Sequence, residues 1–288
     1  MKSLKKSQAL DWSEVLICVE FTGIYTIDLM KAACKYDLRL WLETPLHVKR
    51  SLGIQRGKSD SVDAMRLAEY ASRFYDKAQC NAPTILELQP LRELINLRER
   101  FVKSLKMIGA HPKELASIDK KAAKPLRDVS DPVIKSIREQ IEVTNRKIDE
   151  FLRSKPEFFE MSQLIQSVPG IGPITAAVLI LTTWNFQRLC DAKKLATYGC
   201  MAPFGYTSGT SIHSKSKTSK MGDKRLKTLL QLAVYNAIKS DKELREYYHK
   251  KVAEGKPKLL VANNIRNKLL KRVIAVVKRN SPYAIHSV

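Results

Sequence analysis

Glu14-Val-Leu-Ile-Cys-Val-Glu20 and Leu38-Arg-Leu-Trp-Leu-Glu43 are the two stretches that decide the fold of the amino-terminal region. The first has a continuously apolar middle, which is typical of a strand that is covered on both faces. Between them, the residues from about Ile24 to Tyr36 have a helical pattern. This order predicts a β-α-β unit with parallel strands and a right-handed crossover, and hence an α/β fold in this region.

Two parallel strands are too few for an independent sheet, because three or more strands with covered faces are usually needed. Only 13 residues precede the first strand, and Met1 to Asp11 shows no strand pattern. We therefore expect either that a partner completes the sheet or that the chain has lost an opening strand. Gly53 to Ser59 is predicted to be a polar loop, and a helix is predicted from about Asp60 to Phe74.

The composition indicates a polyanionic partner. The chain has 288 residues, of which 44% are apolar, and its formal net charge is +22. Clustered Lys and Arg side chains release counterions from nucleic acid, so DNA or RNA is the simple explanation of this charge. No apolar run approaches the ~18–20 residues of a membrane span, and no signal peptide is recognisable. Five scattered cysteines without a C-x-x-C pair favour a reducing cytoplasm over a disulfide framework or a zinc site.

The middle of the chain, from Thr84 to about Phe151, is predicted to be long-helical, with two apolar stripes. The stripes consist of Leu88, Leu91, Ile95, Phe101, Leu105 and Ile108, and of Val133, Ile137, Ile141, Ile148 and Phe151. Pro112 and the region 122–132 are predicted to separate them. An antiparallel helical hairpin and a coiled coil between chains are both compatible with this pattern, and a plain helical spacer is the simpler interpretation.

Val168-Pro-Gly-Ile-Gly-Pro-Ile-Thr-Ala176 lies between two helical runs at the start of the carboxyl-terminal region. Its turn resembles a helix-hairpin-helix motif, in which glycines allow a close approach to phosphate and the second helix offers its N–H groups to the anion. The alternative is a tight turn between helices with a helix-starting proline. The net charge favours DNA contact by Gly170 and Gly172. Helices are also predicted from Lys224 to Lys239 and, with a basic face, from Leu259 to Lys278.

A basic, hydroxyl-rich segment runs from Ala202 to Lys227. Such a segment can lay a hydroxyl group against a phosphodiester while neighbouring cations hold the strand. The cations that we predict to contact phosphate are Lys215, Lys217, Lys220, Lys224 and Arg225. A serine hydroxyl needs a base or a metal for activation, so chemistry alone leaves Thr207, Ser208 and Ser211 open as nucleophiles. A phosphate-binding or disordered loop is the plainer alternative.

Three carboxylates are candidates for a metal site. Glu20 ends the first strand at its carboxyl edge, where sites lie in open α/β sheets. Asp60 and Asp63 are spaced i, i+3 at a helix start, which places them on one face. Clustered carboxylates suit Mg²⁺, and two-metal sites suit phosphoryl transfer. The alternative is a helix start without metal, with Asp60 as the N-cap and Asp63 as an acid of the first turn.

Several of these motifs together resemble one family. Val19-Glu-Phe-Thr-Gly-Ile-Tyr25 and Gly57-Lys-Ser-Asp-Ser-Val-Asp-Ala64 resemble the first domain of DEDD-type insertion-sequence transposases, the "one-ten" family of bacterial insertion sequences. The segments Val168–Ala176, Tyr206-Thr-Ser-Gly209 and Ser219-Lys-Met-Gly-Asp223 resemble the second domain. The resemblance covers nearly the whole chain, and the motifs occur in the family's order.

The resemblance implies a fold that is α/β plus α. Residues 1–80 would be an incomplete ribonuclease-H-like (resolvase-like) domain, and residues 81–157 a helical hairpin or coiled-coil linker. Residues 158–288 would be a mainly helical transposase domain that contains the helix-hairpin-helix and a catalytic-serine loop.

The resemblance also implies an activity and its residues. Members cleave and rejoin the DNA of insertion-sequence ends, with four acids that bind Mg²⁺ and a serine that forms a phosphoserine link. Glu20, Asp60 and Asp63 correspond to the second, third and fourth acids, and Ser208 to the nucleophile. Members also work with a guide RNA that the element encodes, and they assemble as homo-oligomers.

One feature departs from the family pattern. The first aspartate of the family lies on an opening strand, for which this chain has no counterpart before Glu14; Asp11 stands in the wrong context. We therefore expect an amino-terminally truncated copy. Two alternative functions follow: a catalytically inactive protein that only binds nucleic acid, and a nuclease similar to Holliday-junction resolvases that uses metal-activated water.

Overall fold

The computed structural model describes residues 14–51, 59–208, 212–219 and 221–284. The chain divides into two compact units, Met1–Gln89 and Pro90–Val288. The predicted loop 53–59 lies outside the described residues except for Ser59, as does the segment before Glu14.

The first unit is built on a parallel pair of strands. Strand β1 (Leu16–Glu20) pairs with β2 (Arg39–Glu43) in the register Leu16 to Arg39 and Glu20 to Glu43. The connection between them is a 3₁₀ turn, Gly23–Thr26, and a helix, α1 (Ile27–Lys35). The helices after β2 are α2 (Pro45–Ser51), α3 (Asp60–Arg73) and α4 (Ala82–Glu87). The predicted β-α-β unit and the helix from Asp60 are thus confirmed.

Both faces of β2 are covered, whereas all five residues of β1, the strand for which the sequence predicted two covered faces, are only half-buried. On one face the rings of Trp41 and Tyr70 pack at a tilt of 36° with their centroids 5.3 Å apart, in a core that includes Val48, Ala71 and Phe74. On the other face α1 and α4 pack against β2, and Met30, Leu40, Leu42 and Ile85 are buried. Successive side chains of a strand point to opposite faces, which is why Leu40, Trp41 and Leu42 can all be buried.

The second unit is mainly helical, with one β-hairpin among its described residues. Its helices are α5 (Gln89–Ile118), α6 (Lys120–Arg153), α7 (Pro156–Gln166), α8 (Pro173–Thr183), α9 (Ala192–Tyr198), α10 (Lys224–Ser240), α11 (Lys242–Ala253) and α12 (Lys258–Arg279). Its strands are β3 (Pro203–Ser208) and β4 (Ile212–Thr218), which run antiparallel. The helices predicted from Lys224 and from Leu259 are confirmed.

Helix α8 is the centre of the second unit. Every residue from Thr175 to Thr183 is buried, and α6, α7 and α10 all pack against this helix. A helix that is apolar on all sides is stable only inside a core. Helix α12 packs against α7, α9, α10 and α11 and buries side chains in every turn from Val261 to Val276.

Helices α5 and α6 lie side by side and antiparallel. The Arg98 guanidinium donates from Nε to the Asn145 side chain at 2.6 Å, and further along Gly109 faces Ile134. The turn between them is the single residue Asp119, whose side chain accepts from two backbone N–H groups of α6. Helices α5 and α6 therefore form an antiparallel hairpin within one chain, which is one of the two arrangements that the sequence allowed.

The predicted break at Pro112 and in 122–132 is wrong, because both helices continue through their prolines. An interior proline removes one N–H donor, a cost of about 3 kcal/mol that a long helix can absorb. The cap at Asp119, not a proline, ends the first helix and begins the second.

Candidate nucleic-acid interface

Ser208 is the last residue of β3 and stands opposite Ile212 in the hairpin register. Thr207, the residue before it, stands opposite His213, and a register shift lies between Phe204 and Tyr206. The segment from Pro203 to Thr218 is thus a hairpin, where the sequence predicted a loop. The missed signal is an alternation of hydroxyl, β-branched and aromatic residues around a glycine.

The base of this hairpin is held firmly by the helical core. Met201 is fully buried, its N–H donates to the Ala196 carbonyl at 2.8 Å, and its own carbonyl accepts from Asn263 at 3.0 Å. Cys200 has a φ of 56°, a left-handed conformation that turns the chain from α9 into β3. The base of the hairpin is therefore anchored on the helical core.

The cations predicted to hold phosphate are dispersed around this hairpin and the start of α10. Lys215 and Lys217 lie in β4, whereas Lys220 lies outside the described residues. Lys224 is exposed at the first position of α10. Arg225 is half-buried and already engaged, since it approaches Asp223 at 3.4 Å and Asn96 at 3.3 Å.

A short turn joins α7 and α8 at the two glycines, and the helix-hairpin-helix motif stays a prediction. Gly170 has a φ of 89°, and a Cβ there would meet the Ala233 carbonyl oxygen of α10 at 2.5 Å. This glycine therefore allows two helices to approach closely. Gly172 is the N-cap of α8 and has open space around it. Phosphate contact by either glycine stays a prediction.

The three candidate acids occupy the first unit. Glu20 is half-buried at the carboxyl end of β1. Ser59, rather than Asp60, is the N-cap of α3, because its Oγ accepts from the Val62 N–H at 3.3 Å. Asp60 is exposed, and Asp63 forms an ion pair with Arg66 at 3.0 Å. The N-cap role that the sequence offered to Asp60 thus belongs to its neighbour.

The described residues contain no group of three or more His, Cys, Asp or Glu side chains that is close enough to hold a metal ion. The Asp63 carboxylate, one of the three predicted ligands, already forms an ion pair with the Arg66 guanidinium. Mg²⁺ binding by Glu20, Asp60 and Asp63 therefore stays a prediction.

Glu43 is a carboxylate that the sequence analysis missed. It ends β2 directly beside Glu20, and its side chain is only 12% exposed. Its Oε1 accepts from the Thr44 N–H at 2.6 Å and lies 3.0 Å from Nδ1 of His47, and its Oε2 accepts from the Tyr70 hydroxyl at 3.1 Å. The feature of the sequence that could have identified Glu43 is its position at the end of a predicted strand.

This buried charge changes the acidity of its neighbours. Burial, followed by the charges of Glu43 and Glu20, raises the pKa of the Cys18 thiol to about 11. Burial and Glu43 likewise raise the pKa of Tyr70 to about 12. Both groups are therefore neutral at pH 7.

All five cysteines are free thiols, as their scattered spacing predicted. Within the part of the chain that the structure describes, no helix has the length and apolar character needed to cross a membrane.

Residues 162–249 match the family model described as the transposase IS116/IS110/IS902 family. This segment contains the α7–α8 turn, the hairpin with Ser208, the whole of α10 and most of α11. The carboxyl-terminal unit therefore carries a domain similar to the transposases of this family.

Particular relatives extend the likeness along the chain. A pilin gene-inverting protein of Moraxella bovis is 26% identical over 275 residues, which make up 94% of this chain and 82% of the relative. The transposase for insertion sequence element IS1111A of Coxiella burnetii is 24% identical over 267 residues, covering 84% of this chain and 72% of the relative. A protein of insertion element IS110 from Streptomyces coelicolor is 32% identical over 121 residues, covering 42% and 29%.

These comparisons confirm the transposase resemblance that the motifs indicated. The DEDD type, the truncation and the roles of Ser208, Glu20, Asp60 and Asp63 stay predictions.

Proposed function

We propose that this chain is a DNA transposase or recombinase that cleaves and rejoins the ends of an insertion sequence through a phosphoserine at Ser208. The observation that carries the proposal is the position of Ser208 at the end of β3, inside the segment that matches the transposase family. The hairpin comes just before α10 in the chain, and Lys224 at the start of that helix is exposed. A serine in a cationic setting suits attack on a phosphodiester.

The proposed reaction is a pair of phosphoryl transfers. The Ser208 oxygen bonds to the phosphorus of a DNA phosphodiester and gives its proton to a base. The bond from phosphorus to the leaving DNA end breaks, and that end becomes a hydroxyl. A second DNA hydroxyl then attacks the phosphoserine and releases the serine. Each step exchanges one phosphodiester for another, so strand transfer needs no external energy source.

Three further elements belong to this proposal on the strength of the resemblance. Glu20, Asp60 and Asp63 would hold Mg²⁺, which would supply charge neutralisation at a transferring phosphoryl group. An element-encoded guide RNA pairs with donor and target DNA, and the chain acts as a homo-oligomer. Calorimetric titration of Mg²⁺ into the protein and into Asp63→Asn tests the metal binding. Extraction of RNA from the purified protein tests for a guide RNA, and light scattering tests for a homo-oligomer.

The decisive experiment traps the covalent intermediate. The protein is incubated with labelled element-end DNA, guide RNA and Mg²⁺, denatured, and analysed for a protein–DNA adduct. Ser208→Ala should abolish the adduct while DNA affinity changes by less than about twofold, since one hydroxyl adds little to binding that is dominated by phosphate contacts. Ser240→Ala, a change at an exposed serine at the end of α10, serves as the matched control and should retain the adduct.

Three results would contradict the assignment. An adduct that survives Ser208→Ala, but not Thr207→Ala or Ser211→Ala, would move the nucleophile to another hydroxyl. Cleavage without any adduct would favour a resolvase-like nuclease that uses water. Binding without cleavage under all conditions would favour a protein that only binds nucleic acid.

A further inference from the structure

Arg266 is a buried cation that lacks a counter-charge. It lies near the middle of α12 and is only 7% exposed. Within the described part of the chain its guanidinium forms no hydrogen bond and no ion pair, and its Nε atom is completely enclosed without a partner. Arg272 of the same helix is paired instead, because its guanidinium lies 2.7 Å from Asp241 and 2.6 Å from Glu243. An unpaired buried guanidinium is costly, so packing alone does not explain Arg266.

The terminal nitrogens of Arg266 are the part of its side chain that reaches solvent. Among the guanidinium nitrogens, only Nε is completely enclosed. The small exposed fraction therefore includes Nη1 and Nη2, which carry most of the N–H donors of an arginine. Burial lowers the pKa of this guanidinium, but an arginine keeps its proton at pH 7. Arg266 thus presents a permanent positive charge at the surface from a buried stem.

Helices α10 and α12 run side by side in the same direction. Asp241, the residue after α10, pairs with Arg272 in the second half of α12. The first halves of both helices lie at the end of α9, since Leu226 of α10 packs on the residue that follows α9, and Asn263 of α12 donates to the Met201 carbonyl at 3.0 Å. The ion pair at one end and these contacts at the other fix the register of the two helices.

This register brings an exposed tyrosine to the level of Arg266. Counted back equally from the ion pair between the helices, Tyr235 of α10 stands level with Arg266, since both helices rise about 1.5 Å per residue. Tyr235 is 53% exposed. About one turn earlier, Gln231 of α10 and Asn263 of α12 each have an enclosed side-chain atom without a hydrogen-bond partner, Nε2 and Oδ1. The seam between α10 and α12 therefore contains unused hydrogen-bonding groups below an exposed ring.

The charge of this seam is positive. Helix α10 contains four Lys or Arg and α12 contains seven, and neither helix contains Asp or Glu. At the far end of the seam, the carboxylates of Asp241 and Glu243 are already paired with Arg272. An anion that enters the seam would meet unused N–H donors and would supply the counter-charge that Arg266 lacks.

We propose that Arg266 binds a backbone phosphate of DNA in the seam between α10 and α12. Guanidinium groups bind phosphate through paired N–H donors, and the two terminal nitrogens of Arg266 are the ones that reach solvent. Asn263, one turn before Arg266, holds the Met201 carbonyl at the base of the hairpin that carries Ser208. The role of the site is to hold the DNA beside the base of that hairpin. The assignment of DNA as the ligand rests on the proposed function.

The first measurement is thermal stability without DNA. Arg266→Met removes a buried charge that has no partner, so this variant should melt at the same temperature as the unmodified protein or up to about 4 °C higher. Arg272→Met is the matched comparison in the same helix and should melt lower, because Asp241 loses its cation. A fall in Tm for Arg266→Met as large as that for Arg272→Met, or a failure to fold, would make Arg266 a structural cation and overturn the proposal.

The second measurement is the binding of a labelled DNA duplex of mixed sequence over a series of salt concentrations. Arg266→Met should bind about tenfold more weakly at low salt, and the slope of log affinity against log salt should fall by about 1. Arg266→Lys keeps the charge and should keep the slope. Lys271→Met removes an exposed charge from α12 and is the control, which should change the affinity by less than about twofold.

Equal losses of affinity in Arg266→Met and Lys271→Met would assign the effect to net charge and overturn the proposal, as would an unchanged slope in Arg266→Met. A loss with RNA of the same sequence but not with DNA would overturn the choice of ligand. The serine adduct is measured separately with element-end DNA. A missing adduct, in a protein whose DNA binding depends on Arg266, refutes the proposed function and leaves this site standing. An adduct together with unchanged DNA binding in Arg266→Met refutes this site alone.

Discussion

Replacing Gly170 by alanine should destabilise the second unit strongly, whereas the same change two residues later should not. Gly170 has a φ of 89°, and a Cβ there would lie 2.5 Å from the Ala233 carbonyl oxygen and 2.6 Å from the Ala237 Cβ. These atoms belong to the middle of α10, which packs against the core and cannot withdraw without moving the helix. Gly172 has a negative φ, and a Cβ at that position would have no other atom within 4 Å.

The magnitude follows from three contributions. A left-handed conformation costs a non-glycine residue about 1–2 kcal/mol. Overpacking of a close helix contact typically costs about 1–3 kcal/mol. Alanine also restricts the unfolded chain, which returns about 0.4–1 kcal/mol. The free energy of unfolding should therefore fall by about 2–4 kcal/mol for Gly170→Ala. For Gly172→Ala, the loss of a favourable N-cap residue and the gain from the unfolded chain nearly cancel, within about 0.5 kcal/mol.

The assay is unfolding by urea and by heat, followed by circular dichroism at 222 nm. A domain of this size loses about 2–4 °C in Tm per kcal/mol, so Gly170→Ala should melt about 5–15 °C lower. Hydrogen exchange of the peptides from α8 and α10 assigns the change to the second unit. Equal melting temperatures for the two variants would refute the packing role. A selective loss of DNA affinity in stable Gly170→Ala would instead restore the phosphate contact that the sequence predicted.

Two other predictions concern buried charges. The pKa of the Cys18 thiol is raised to about 11, so little of it is present as the reactive thiolate at pH 8. Its alkylation at pH 8 should therefore be about 100-fold slower than that of a thiol with a pKa of 9. The alkylation rate should increase with pH up to about 11. Glu43→Gln should shift this profile to lower pH, and an unshifted profile in mass spectrometry would disprove the influence of Glu43. Arg272→Met should lower the free energy of unfolding by about 3 kcal/mol, because it leaves the buried Asp241, now 2.7 Å away, without its cation. Lys268→Met, at a partly exposed pair, should cost less than about 1 kcal/mol, and equal urea midpoints for the two would contradict this account.

Local sequence patterns were sufficient for the parallel strand pair and for most of the helices, but not for the strands β3 and β4 or for the place where α5 ends and α6 begins. The apolar run before Glu20 predicted the strand β1, although its residues are only half-buried, and the spacing of apolar residues after Lys224 and Leu259 predicted the helices observed there. The net charge of +22 pointed toward a nucleic-acid partner, and the resemblance of several motifs to a known family, the turn at Gly170 among them, indicated a transposase-like protein. These features are readable because side chains repeat with the period of the helix or strand that carries them.

Tertiary structure alone decided which residues meet. Gly170 serves a contact with α10, more than 60 residues away, and Arg225 meets Asn96 across 129 residues of sequence. Glu43 became a buried acceptor of several hydrogen bonds only because α2 and α3 supply donors at the end of β2. Such contacts depend on how the helices pack. Packing is determined by all the side chains that meet in a core, and these come from distant parts of the sequence, so a short stretch of sequence does not reveal them.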